Sequence, residues 1–152
     1  MKLFKYLLIL SICFSHSIIN AQNPTLTNSM EKKKVDKVFQ VVEDAPLFPG
    51  CEKVKKAERK TCADSKLFEY LGKELEYPVI ARENGISGAV ILQFVVEKDG
   101  SITDVKVVRG IGGGCDEAAT KVVENMPKWN PGKQRGRPVR VQFTLPVRFI
   151  LQ

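Results

Sequence analysis

The side chains able to do acid–base or covalent chemistry are few and poorly spaced for it. His16 is the sole histidine of the 152 residues, so a Ser-His-Asp triad or a histidine-rich metal site has at most one imidazole to use. The thiols are Cys13, Cys51, Cys62 and Cys115. The surroundings of His16 and Cys13 decide whether even these persist. Lys2 and Lys5 form a positive start, Tyr6 to Phe14 is apolar apart from Ser11, and Ile18-Ile19-Asn20-Ala21 ends on a small residue. This is the pattern of a secretory signal over residues 1–21. Its apolar run is short against the ~20 residues that a spanning helix needs. Cys13 follows Ile12, where a lipidation site would carry a small residue.

Cleavage after Ala21 leaves no imidazole and three thiols, too few groups for most hydrolase mechanisms and a poor donor set for zinc. No enzymatic activity and no cofactor is expected. In an oxidising compartment, exported cysteines tend to pair. Cys51 and Cys62 flank a charged stretch and are expected to form a disulfide. Cys115 is then left over, buried on the helix that follows it.

Two other constellations invite a chemical reading. Gly110-Ile111-Gly112-Gly113-Gly114 follows a strand pattern and precedes a helix, as a phosphate loop does. It lacks the Gly-Lys-Ser/Thr ending, its strand belongs to a hairpin, and Asp116 and Glu117 put negative charge where a phosphate would sit. A flexible connector is expected instead. Lys128, Lys133, Arg135, Arg137 and Arg140 surround Trp129, which fits either an anionic partner or a solvated loop whose tryptophan packs on the core. The formal charge of +7, less Lys2 and Lys5 after processing, favours acidic partners. In an exported protein, nucleic acid is not among them.

These side chains must be positioned by a short list of elements. Residues 22–63 read as an arm: polar from Asn23 to Met30, a charge run from Glu31 to Lys37, one short strand within residues 38–42, and a turn at Pro46 to Gly50. Residues 64–152 read as the domain. Asp64 or Ser65 caps a helix that sets Leu67, Phe68, Leu71 and Leu75 on one apolar face, and Pro78 opens a second short helix ended by Asn84-Gly85. Residues 88–97, with Val90, Leu92, Phe94 and Val96 inward, and residues 102–109 form an antiparallel hairpin about Asp99-Gly100. A helix over 116–125 turns Cys115, Ala118, Ala119, Val122 and Met126 inward and stops at Pro127. The last strand alternates Val139, Val141, Phe143, Leu145, Val147 and Phe149 with Arg140, Gln142, Thr144, Pro146 and Arg148. The fold class is α+β, a three-stranded antiparallel sheet packed with two or three helices. Because Pro146 cannot donate to a ladder, the last strand belongs at a sheet edge.

Tyr77-Pro78, Gly85-Ile86-Ser87-Gly88, Asp99-Gly100, Trp129-Asn130-Pro131-Gly132 and the alternating last strand occur in an order that resembles the C-terminal domain of the TonB family, of the Bacteroidetes type. The resemblance implies a non-enzymatic periplasmic module that binds the TonB-box peptide of TonB-dependent outer-membrane transporters by adding it to the last strand. Carried to this chain, the contact line is Val139, Arg140, Val141, Gln142, Phe143, Thr144, Leu145, Val147, Arg148, Phe149 and Ile150. Arg140, Gln142, Thr144 and Arg148 would supply selectivity. Energy transducers of the family keep a membrane helix and a long proline-rich spacer, whereas the prolines ahead of this domain are Pro24, Pro46 and Pro49. Two alternatives stand beside the exported module. One is a full energy transducer held by a retained signal anchor. The other is a cell-wall-associated adapter that meets peptidoglycan or other periplasmic proteins through the basic loop. A homodimer is compatible with each.

Overall fold

The computed structural model describes residues 36–151, so the signal expected over residues 1–21 and the polar start of the expected arm lie outside the described residues. In chain order the elements are β1 (Val38–Phe39), α1 (Lys56–Glu74), α2 (Val79–Glu83), β2 (Gly88–Val96), β3 (Ile102–Arg109), α3 (Cys115–Glu124), β4 (Lys133–Gln134), β5 (Arg137–Pro138) and β6 (Arg140–Phe149).

The centre of the sheet is β2, whose inward residues Val90, Leu92, Phe94 and Val96 are wholly buried, as period-two alternation requires. Burial of side chains this size contributes about 1.5–3 kcal/mol each. On one side β3 returns antiparallel. The turn between them needs glycine at position 100: φ is 84°, and a Cβ there would run into the Trp129 carbonyl. On the other side β6 pairs antiparallel with β2 along its whole length, from Phe149 opposite Gly88 to Val141 opposite Val96. The expected three antiparallel strands are therefore present, and the sheet adds a fourth. β1 runs parallel to β6, giving the order β1-β6-β2-β3 and a mixed sheet. A parallel partner about a hundred residues away leaves no hairpin signal in the sequence. β4 and β5 form a small separate hairpin.

Helix α1 begins at Lys56, eight residues before Asp64, and no side chain caps it. Its first turns are held by other means. Cys62 is joined to Cys51, with Cα atoms 6.0 Å apart. The Arg59 Nε donates to the Val54 carbonyl at 3.1 Å. Ala63, Leu67 and Leu71 are buried against the sheet, but Phe68, expected in the core, is 64% exposed. Neighbouring residues on a helix point ~100° apart, so aiming Leu67 at the sheet swings Phe68 to the flank. Helix α2 starts one residue later than expected, with Pro78 as its cap.

Helix α3 buries Cys115, Ala119, Val122 and Val123, with Ala118 and Met126 half-buried beside them. Burial pushes the Cys115 thiol upward. The Tyr70 hydroxyl donates to the Asn125 carbonyl at 3.1 Å and so ties α1 to α3. Trp129, 4% exposed, sits among Phe48, Phe94 and Phe143 at ring-centroid distances of 5.7, 5.7 and 5.0 Å. It packs on the core, as a lone tryptophan usually does. Residues 44–48 are held to this cluster by backbone bonds, including the Leu47 N–H to the Asn130 carbonyl at 3.0 Å.

Candidate functional site

The β2–β6 register runs through Pro146, opposite Ile91, without a shift. Proline has no N–H to give. In an uninterrupted ladder, position 146 must then be one whose backbone polar groups face away from β2, and Gln142, Thr144 and Arg148 share its parity. Beyond β6, β1 pairs only with Arg140 and Val141. From Gln142 to Phe149 the outer side of β6 has no strand beside it among the described residues. The N–H groups of Thr144 and Arg148 and the carbonyls of Thr144, Pro146 and Arg148 thus line an open edge, the arrangement that templates an added strand.

The opposite edge of the sheet differs. The β3 register with β2 shifts twice, between Ile91 and Leu92 and between Gln93 and Val95. Asp104 has φ 54°. Bulges of this kind break the even spacing of donors and acceptors and twist an edge away from strand partners. Of the two edges, the regular one is on β6.

The sequence-derived contact residues fall into three groups. Val141, Leu145, Val147 and Phe149 are buried and Phe143 half-buried, so their side chains belong to the core. Val139 precedes the strand, its N–H donating to the Gly132 carbonyl at 2.9 Å, and Ile150 follows it, exposed. Gln142, Thr144 and Arg148 point away from the helices.

Arg140 has a different task from the one its alternation implied. Its Nε and Nη2 donate to the two carboxylate oxygens of Glu97 at 2.8 Å each, with side chains only 18% and 22% exposed. The Thr103 hydroxyl donates to the same carboxylate at 2.7 Å, and Arg140 Nη1 reaches the Asp36 carbonyl at 3.2 Å. One guanidinium therefore ties β6 to Glu97, just past β2, and to Asp36, just ahead of β1, and the shared carboxylate extends the network to Thr103 on β3. The Arg140 hydrogen bonds hold the Glu97 carboxyl below its ordinary value of 4.5 despite burial, and Glu97 in turn raises Arg140. Engaged in this way, the Arg140 side chain is committed to the protein itself, whereas no such ion pair holds Arg148 among the described residues.

The other chemical constellations do not converge. In the glycine loop, the Asp116 carboxylate accepts from the Ile111 N–H at 2.9 Å and the Gly112 N–H at 3.3 Å. The protein's own anion fills the place a phosphate would take. The basic cluster is divided: Lys128 pairs with Asp99 at 2.7 Å, Arg140 with Glu97 at 2.8 Å, and Arg135 and Arg137 lie exposed on the β4–β5 hairpin. A cleft of about 400 Å³ is lined by Asp44, Glu52, Lys56, Arg59 and Lys133 among others. Its charges are mixed and partly satisfied internally, with Lys56 on Asp44 at 3.0 Å. The Asn130 side chain, with the Gly50 N–H, lowers Glu52 there to about 2.

Residues 73–151, from the end of α1 through β6, match the family described as Gram-negative bacterial TonB protein C-terminal. A shorter form of the TonB C-terminal domain of Helicobacter pylori, solved in solution, is 26% identical, over 58% of this chain and 92% of that one, with a TM-score of 0.46. A longer form of the same domain is 21% identical, over 68% of this chain and 96% of that one, with a TM-score of 0.43. No curated protein matches the chain.

Proposed function

The chain belongs to the family of Gram-negative bacterial TonB C-terminal domains, and from that premise we propose that it is a periplasmic module that captures TonB-box peptides of outer-membrane transporters by strand addition to β6. The observation that carries this reading is the regular side of β6 from Gln142 to Phe149, unpaired among the described residues, in contrast to the bulged β3 at the opposite edge of the sheet. Main-chain bonds supply grip, and outward side chains tune the choice of segment. In this reading residues 1–21 are the export signal, residues 22–63 the arm, and residues 64–152 the binding domain. Among the described residues no helix is long and apolar enough to cross a membrane. The anchored transducer therefore depends on residues 1–21, outside the described residues.

Amide exchange with an N-terminal segment of an outer-membrane transporter tests the proposal. Protection at Thr144 and Arg148, with β3 unchanged, is the expected result. Protection centred on residues 128–137 would move recognition to the basic loop and favour the cell-wall adapter.

A further inference from the structure

The exposed ring of Phe68 has no part in the core and none in strand pairing. Its place follows from the helix that carries it. Leu67 and Leu71 point α1 at the sheet, while Tyr70, on one flank, donates to α3. At ~100° per residue Phe68 lies ~160° from Tyr70, on the opposite flank, with Leu75 beside it. Since α3 packs over β3 and β2, that opposite flank overhangs β6 and its open edge. The helix runs along the strand: Leu67 shares a small cavity with Phe143, and Tyr77, just past the helix end, meets Phe149 edge-on at 5.5 Å. Residues 45–48 line the same cavity with Lys60 and Asp64, so the chain covers this flank at its start. At Phe68 it is open among the described residues.

A strand added to β6 has two rows of side chains. One row passes beneath Phe68 and Leu75 and ends near the exposed Ile150. The other lies on the uncovered face of the sheet. There the register sets Arg148, Arg109 and Lys106 among Ala89, Ile91 and Gln93, with no carboxylate at these six positions. Apolar side chains in the first row would cover the Phe68 ring, and a carboxylate in the second would gain a charge-assisted bond to Arg148. We infer that the segment recognised at β6 alternates apolar with acidic residues, the apolar row packing against Phe68 and Leu75 and the acidic row facing Arg148. The inference rests on the strand-addition reading and adds the chemistry of the bound segment.

Two blocked synthetic peptides of equal composition, one alternating Glu and Val and one with the same residues in blocks, test it by anisotropy titration against the whole protein. The alternating peptide should bind about tenfold tighter than the block isomer. Phe68→Asp should remove that advantage and Phe68→Leu restore it, with circular dichroism confirming that each variant is folded. Arg148→Glu should shift preference to an alternating Lys–Val peptide, an outcome independent of Phe68. Equal binding of the two isomers, or unchanged affinity in Phe68→Asp, overturns the inference. If neither synthetic peptide binds while a transporter segment still protects Thr144 and Arg148, this inference alone falls. If no transporter segment protects those amides, strand addition fails with it.

Discussion

Replacing Thr144 by proline separates backbone recognition from side-chain recognition. The parity fixed by Pro146 places the Thr144 N–H on the open side of β6, so the change takes no bond from the β2 ladder. The side chain is exposed, so no packing is lost either. The folded state should lose about 1 kcal/mol or less, against ~3 kcal/mol or more where proline removes an internal bond. The bound state loses more. One interstrand bond, worth about 1 kcal/mol net, disappears, and an acceptor on the peptide is left against a ring that cannot donate, at about 1–3 kcal/mol. Taken together these make a loss of about 2–4 kcal/mol, roughly a 30- to 900-fold rise in Kd. The assay is anisotropy with a labelled transporter N-terminal segment, run beside urea denaturation. Thr144→Ala keeps the backbone donor and should bind within about threefold of the parent. Arg135→Ala and Arg137→Ala should change mainly the salt dependence. A folded Thr144→Pro that binds normally, together with arginine variants that fail, would refute strand addition in favour of an electrostatic loop.

Four further outcomes are expected. With the joined cysteines 11 positions apart in sequence, replacing Cys51 and Cys62 by serine should cost about 3 kcal/mol of unfolding free energy in denaturant, on the chain-entropy account. Because Arg140 depresses the Glu97 carboxyl below 4.5, that group's stabilisation is complete above this pH and lost as pH falls through the depressed value. Urea midpoints should drop on acidification below about pH 4.5, and Glu97→Gln should flatten that limb. Gly100→Ala forces a Cβ into the Trp129 carbonyl at positive φ; the backbone strain alone is about 1–2 kcal/mol, so thermal melting should show at least that loss. Intact mass should place the mature start at Gln22, and a membrane-bound chain that retains Met1 would revive the anchored transducer.

What the sequence made legible was local. The alternation of Val90, Leu92, Phe94 and Val96, the Asp99-Gly100 turn and the inward row of the last strand each depend on residues a few positions apart, and each appears where expected. The disulfide was readable from compartment and cysteine count. Failures came where a partner lay far along the chain. Arg140 looks like any outward charge until Glu97, 43 positions away, is brought beside it. The start of α1 was missed because Lys56 to Thr61 carries no apolar period and Lys55 offers no capping oxygen. Phe68 was misplaced because Leu67 and Phe68 share one broad apolar arc, and only packing against the sheet decides which of the two turns in. The open stretch of β6 was anticipated from Pro146. The shortening of that stretch by β1 was not, since a two-residue parallel pairing has no local signature.

The Cys51–Cys62 bond also governs how the molecule would respond to tension on its N-terminal side. A pull on the residues ahead of β1 meets first the two-residue pairing with β6 and then the single bridges at Asp44 and Leu47, weak contacts that would break in succession. At Cys51 the path of force leaves the main chain and crosses the covalent bond to Cys62, inside α1. Residues 52–61 are bypassed and stay folded. The slack that can be released is confined to residues 36–50, roughly 50 Å at full extension, before the pull reaches the helix that backs β6. Under reducing conditions the bypassed segment would join the tether and lengthen it by roughly 35 Å, so the bond sets the reach of the arm under load.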